Sequence, residues 1–422
     1  MVRDAEIEHI LAIYAKPLFE AANLSPGAVK TYLVHDDTLN AFVAGGQRIF
    51  VFTGLILATR SPGELVGVLA HETGHIRGGH LSRTRDAIAN AQTFSILAAL
   101  LGGLAAAASG NADAAAAGLL GGSAGSQQLF LQYSRTQEST ADQAAIKLME
   151  RAGWSPRGMV DFLGVLEEQE IILGQRGNPY LRSHPLGYER IQALENLVRQ
   201  SPLRDRPDPP ELVRAHTMMQ AKLYGFTQRP SETFRKYPES DTSDQAHYAR
   251  SVALMQQART DEAIRELAPL LEKEPNNPFF HELKGQIYLE GGRIEESIPP
   301  LREALSLSGH ETIAVLLAQA LIARDTEQDN RDALKILESV VRTDPDSPAA
   351  WQQLSIAYGR AGEIGKSMLA GAEQHLRSGK PKFAREQVQR ALGTLKPGTP
   401  EYFRAQDLDI AVEALERQLK DR

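Results

Sequence analysis

The pentapeptide His71-Glu72-Thr73-Gly74-His75 constrains this chain more than any other feature. On an α-helix, residues four apart share a face, so the two imidazoles lie side by side with a carboxylate next to them. The preceding residues predict that helix. Ser61-Pro62-Gly63-Glu64 reads as an N-cap serine, a proline at the first helical position and a capping-box glutamate, and apolar Leu65, Val66, Val68 and Leu69 follow. The pentapeptide therefore belongs well inside a mostly buried helix.

Two histidines and a glutamate in this H-E-x-x-H spacing suit one zinc ion, with His71 and His75 as ligands and Glu72 as general base. Catalytic zinc takes three protein ligands, so a third must come from elsewhere. Glu138 and Asp142 stand four apart at the head of a second helical run, Ala144, Ala145, Ile146, Leu148 and Met149, which ends at Gly153. Two readings of this pair stand. Glu138 is the third ligand, with Asp142 taking the second N–H of a ligating histidine, or the two form a solvated acidic helix face.

HETGH, then the E-x-x-x-D helix that begins Ser134-Arg135-Thr136-Gln137, then Ser183-His184-Pro185 with Arg190-Ile191 behind it, resembles the zinc metallopeptidase family that contains the CAAX prenyl proteases and their soluble bacterial relatives. Asn40-Ala41-Phe42-Val43 and Gly45–Leu55 are similar to the strand region ahead of that family's metal helix. The resemblance covers about the first 200 residues. It implies one zinc per chain held by His71, His75 and Glu138, with Glu72 as catalytic base and Asp142 behind the ligands. For His184 three readings stand: an oxyanion donor, an occupant of zinc's open position that keeps the enzyme latent, or a surface histidine before a helix near Leu186. Pro185 biases it away from helix in each case. Ile49-Phe50-Val51-Phe52 reads either as an edge strand that pairs with an extended substrate or as an ordinary buried strand.

The chain has 422 residues, a formal net charge of −7 and no cysteine. It has no basic stripe for nucleic acid, no structural disulfide and no cysteine nucleophile. Its N-terminus reads as an amphipathic helix with Ile10, Leu11, Ile13 and Leu18 on its stripe, not as a signal peptide. The apolar stretch from Phe94 to Ala108, resumed from Ala114 to Leu120, is broken by Gly102, Gly103, Ser109, Gly110, Asn111 and Asp113, too short in either piece to span a bilayer. It reads as a pair of Ala-rich core helices, or as a hairpin that covers the cleft or touches a membrane surface through 94–120.

Ser201–Pro210 is proline-rich and predicts a boundary: a metallopeptidase domain over 1–200, a linker over 201–210 and a second domain over 211–422. In the second domain the small residues Ala263, Ser297, Ala333 and Ser367 are 34, 36 and 34 apart. Trp351, Leu354, Tyr358 and Gly362 precede Ser367, and Gly285, Tyr288 and Gly292 precede Ser297, in the tetratricopeptide pattern. Pro275 and Pro345 fall where such repeats turn. The repeats run over about 245–395, with a two-residue excess near Asp325–Asn330, leading helices over 211–225 and 231–237, and a terminal cap over 401–420. The expected fold is an α-rich α+β chain, a zincin-like metallopeptidase domain followed by a tetratricopeptide-repeat α-solenoid.

A metallopeptidase of this family joined to such repeats resembles a periplasmic group in Gram-negative bacteria. That resemblance implies a zinc endopeptidase acting on unfolded or misassembled outer-membrane proteins, with the repeats reaching the outer-membrane β-barrel assembly machinery. The rival reading is a repeat-based chaperone or adaptor whose zinc domain is latent or inert; the presence of Glu72, needed only for chemistry, favours the enzyme.

Overall fold

The computed structural model describes residues 2–25, 27–44, 47–80, 135–173, 180–181, 184 and 188–420. They form two compact units, Met1–Leu223 and Tyr224–Arg422. The apolar stretch over 94–120 lies outside the described residues.

The first unit opens with α1 (Ala5–Ala21), where the Asp4 carboxylate accepts the Ile7 N–H as N-cap. Ile7, Ile10, Leu11, Tyr14 and Leu18 form its buried stripe, while Ile13 points outward at 38% exposure and leaves the stripe expected of it. Strands β1 (Lys30–Val34), β2 (Ala41–Ala44) and β3 (Arg48–Phe52) make a sheet in the order β1-β3-β2, with β1 parallel and β2 antiparallel to β3. The Ile49–Phe52 strand is therefore central, which agrees with the reading of an ordinary inner strand and not with that of an edge strand, and β1 and β2 take the edges. Strand order is set by how the chain crosses over, which local sequence does not encode.

Helix α2 (Thr53–Ala58) leads into α3 (Pro62–Gly78), whose residues Leu65 to Gly74 are all buried. A helix apolar on every side belongs in the middle of a domain. The Ser61 hydroxyl accepts the Glu64 N–H, as the sequence predicts, but the Glu64 carboxylate takes the Arg60 N–H at 2.6 Å, one residue before the N-cap. Gly79, in the left-handed conformation at φ 62°, ends the helix.

Helix α4 (135–151) buries Ala141, Ala145, Leu148 and Met149. It crosses α3 so closely at Gly74 that a Cβ there would lie 2.7 Å from the Ala141 carbonyl oxygen. Helices α5 (Arg157–Leu173) and α6 (Tyr188–Gln200) complete the layer around α3. Helix α7 (Pro210–Thr227) sends Met219 and Leu223 into the same core as α1 and α3, so the division between units falls inside this helix and the proline-rich 201–210 stretch belongs to the first unit. Proline marks a break in helix; the packed apolar face of α7 decides which unit holds it.

The second unit follows with α8 (Pro230–Lys236) and the helix pairs α9 (Asp244–Gln256) and α10 (Thr260–Lys273), α11 (Pro278–Glu290) and α12 (Ile294–Ser308), α13 (Glu311–Arg324) and α14 (Glu327–Thr343), α15 (Pro348–Arg360) and α16 (Ile364–Arg377), then α17 (Pro381–Thr394) and α18 (Pro400–Lys420). Ala263, Ser297 and Ala333 are fully buried where paired helices cross. The hydroxyls of Ser355 and Ser367 each donate to the other's carbonyl at 2.8 Å, and the Trp351 indole N–H donates to the Pro345 carbonyl at 2.8 Å. These bonds explain why the repeat needs those residues at that spacing. The two-residue excess lengthens α14 to 17 residues rather than widening the turn.

Candidate metal centre

Helix periodicity on α3 brings His71 and His75 together, their Nε2 atoms 3.0 Å apart. The close crossing at Gly74 brings α4 in beside them. Glu138 Oε2 lies 3.3 Å from His71 Nε2, and Glu138 Oε1 lies 3.3 Å from His75 Nε2. His184, whose backbone N–H donates to the Tyr180 carbonyl, places Nδ1 3.3 Å from His71 Nε2 and 3.1 Å from Glu138 Oε2. One ligand atom from each of His71, His75, Glu138 and His184 falls within a 4.8 Å cluster. Donor atoms about 2.1 Å from a common centre at tetrahedral angles stand about 3.4 Å apart, so the set has the spacing of a tetrahedral zinc site.

Hydrogen bonds behind the clustered side chains fix their orientation. Asp142 Oδ1 is 2.9 Å from His71 Nδ1, which leaves the Nε2 lone pair aimed at the cluster. Arg190 clamps Asp142 through both carboxylate oxygens at 2.6 and 2.9 Å and reaches Glu138 at 3.0 Å. His75 Nδ1 lies 3.0 Å from His80 Nδ1. Tyr180 covers His184 with ring centroids 4.7 Å apart, and Phe162 meets Tyr180 edge-on.

His71, Glu72, Glu138, Asp142 and His184 are between 1% and 6% exposed, so neither the acidic pair nor His184 is a solvated surface group. Burial works against charge throughout, and the carboxylates answer it. Burial pushes His71 down, but the Asp142 and Glu138 carboxylates outweigh it and raise the ring to about 10; His75 is pushed down to about 4 by burial. Burial would raise Glu138, yet hydrogen bonds from His184, His71 and His75 hold it well below the ordinary carboxylate range. The carboxylates favour positive charge on His71, while burial opposes it on His75. Glu72 is raised, chiefly by burial. Its Oε1 and His184 Nε2 face each other at 3.4 Å, both buried and, among the described residues, both without a hydrogen-bond partner. Such unsatisfied atoms beside a convergent donor set mark a place for chemistry rather than for packing.

The structure thus brings together every site residue expected from sequence. Sequence reasoning gave no role to His80, Arg190 or Tyr180. The recurrence of histidine five residues after His75 was a usable signal for His80, and Arg190 stood in the motif behind His184 without its partner being legible; Tyr180 had no signal, since its role depends on the chain returning past α4.

Fold and site together define a zinc metallopeptidase followed by tetratricopeptide repeats. The profile of Peptidase family M48 matches residues 3–198 and a tetratricopeptide-repeat profile matches residues 248–311. The metalloprotease YcaL of Escherichia coli (strain K12) is 31% identical over 188 residues, 44% of this chain and 68% of that protein. This chain belongs to peptidase family M48 and is a zinc-dependent metalloendopeptidase. It is also similar along most of its length to proteins named beta-barrel assembly-enhancing protease: 28% identical to that of Yersinia pestis over 402 residues and 26% identical to that of Escherichia coli (strain K12) over 398, in each case 93% of this chain and 79% of the relative. Among the described residues, no helix is long and apolar enough to cross a membrane.

Proposed function

We propose that this chain is a periplasmic endopeptidase that cuts misfolded or stalled outer-membrane proteins, its repeats docking substrate or the β-barrel assembly machinery. One observation carries the reading: His71, His75 and Glu138 converge within 3.3 Å of one another beside the buried carboxylate of Glu72. Zinc held by those three residues supplies a Lewis acid that lowers the pKa of water to about 7. Asp142 keeps His71 in the tautomer that presents Nε2, and Arg190 holds both carboxylates in place. Glu72 takes the proton of the attacking water and passes it to the leaving amine. Similarity to the assembly-enhancing proteases supports the substrate class and compartment, and stacked repeats supply an extended surface for protein partners.

His184 deepens the reading. Its Nδ1 faces the same centre as the three ligands, which favours a latch at the fourth position over an oxyanion donor. The same position supports the rival reading, a latent zinc domain in a chaperone or adaptor. Zinc content and casein degradation measured on one preparation separate them. Zinc with cleavage supports the enzyme; zinc without cleavage, persisting when His184 is replaced, supports the adaptor; absence of zinc contradicts the site.

A further inference from the structure

The outer face of the sheet carries an aromatic ladder that ends at the strand beside the metal centre. Tyr32 of β1, Phe50 of β3 and Phe42 of β2 are cross-strand partners in one row. Their rings stack at 5.3 and 5.1 Å with interplanar angles of 20° and 18°, and Phe52 meets Phe42 edge-on at 5.9 Å. Strand alternation sends Ile49 and Val51 to the opposite, fully buried face.

The two edges of this sheet differ. Along β1, the Val2 N–H donates to the Leu33 carbonyl at 2.9 Å and bridges that edge. Among the described residues, β2 pairs only with β3. The Phe52 N–H donates to the Asn40 carbonyl at 3.0 Å, and the alternation of an antiparallel ladder then directs the N–H and C=O of Phe42 and Ala44 toward β3 and those of Ala41 and Val43 outward. Strand β2 packs against α3, the helix that carries Glu72. The outward edge of β2 therefore runs beside the helix that carries the carboxylate assigned as base.

We propose that Phe42 determines substrate specificity: an extended peptide that adds antiparallel to β2 sets one side chain against Phe42 as a fourth rung of the ladder, and an aromatic side chain is preferred there. This rests on the proteolytic reading of the site. With Ala41 and Val43 making the hydrogen bonds to the added strand, the residue opposite Phe42 occupies a non-hydrogen-bonded pair, where facing side chains approach most closely. The ligand class is a β-prone segment with an aromatic residue on one face, the pattern of membrane-barrel strands near their aromatic girdles.

The test uses the full chain carrying Glu72→Gln, so that bound peptides survive, and a library of short extended peptides whose retained members are sequenced. Aromatic residues should be enriched at one position, by about threefold to tenfold over alanine. Adding Phe42→Ala should bring that enrichment to background, Phe42→Tyr should keep it and Phe42→Leu should reduce it, with thermal melting used to confirm that each variant is folded. Enrichment unchanged in folded Phe42→Ala and Phe42→Leu would overturn the proposal. So would failure to retain any peptide while the chain with Glu72 intact and His184→Ala degrades casein, a result that spares the proteolytic reading. Absence of both retention and casein cleavage would overturn that reading and this proposal together.

Discussion

His71 Nδ1 lies 2.9 Å from Asp142 Oδ1, and the same carboxylate is held from its far side by Arg190. The ring is thereby fixed with Nε2 facing Glu138 and His75. Asp142→Asn breaks the charge-assisted bond and permits the wrong tautomer. Zinc affinity should fall about 10- to 100-fold, measured by competition with a chelator of known affinity. Unchanged affinity would reduce Asp142 to a helix-packing residue.

His184 is the residue whose roles predict opposite outcomes. Its Nδ1 lies against Glu138 and His71, the placement on which the proposed latch rests. His184→Ala should raise basal cleavage of casein with zinc retained. A fall of about a hundredfold would assign it to oxyanion stabilisation instead. No change in either activity or zinc affinity would remove it from the mechanism.

The α3–α4 crossing at Gly74 sets the distance between ligands on different helices. In Gly74→Ala the added methyl meets the Ala141 carbonyl oxygen at 2.7 Å, and backbone cannot yield as a flexible side chain does. The helices should separate, at a cost of about 1–3 kcal/mol, with weakened zinc binding. Denaturant unfolding and metal analysis read the two effects; a variant with native stability and full zinc would show that the crossing is not what places Glu138.

His216 supplies a pH dependence away from the metal. It is buried on α7, its Nε2 3.1 Å from the Thr59 hydroxyl and its Nδ1 3.5 Å from the Tyr14 hydroxyl. Burial pushes its pKa down from 6.5 to about 4. Between those values the unfolded chain binds the proton and the folded chain does not, so the contribution is full above pH 6.5 and is lost as pH falls toward 4. It amounts to about 3 kcal/mol. Stability of the parent and His216→Gln chains, measured by denaturant titration from pH 7 to 4, should lose this difference in slope over that window. Parallel pH profiles would contradict it.

Much of the centre was legible because it depends on helical period. His71 and His75 are four apart, as are Glu138 and Asp142, and each pair shares a face whatever the surrounding fold. The repeats were legible for the same reason, small residues recurring where helices must cross. What the sequence withheld depends on tertiary return. Arg190 meets Asp142 only because α6 comes back against α4, and crossover order decides between the two readings of Ile49–Phe52 by placing β3 inside the sheet. The division inside α7 was hidden because a proline-rich stretch signals a turn in the chain, while Met219 and Leu223 decide where the core ends.

The central claim is that Glu72 is the base of a zinc peptidase held latent by His184. Casein degradation by His184→Ala and by the double variant Glu72→Gln/His184→Ala, each carrying one zinc per chain, tests it most directly. The single variant should cleave and the double variant should be slower by about 10²- to 10⁴-fold with zinc undiminished. Equal cleavage by the two zinc-loaded chains would contradict the account.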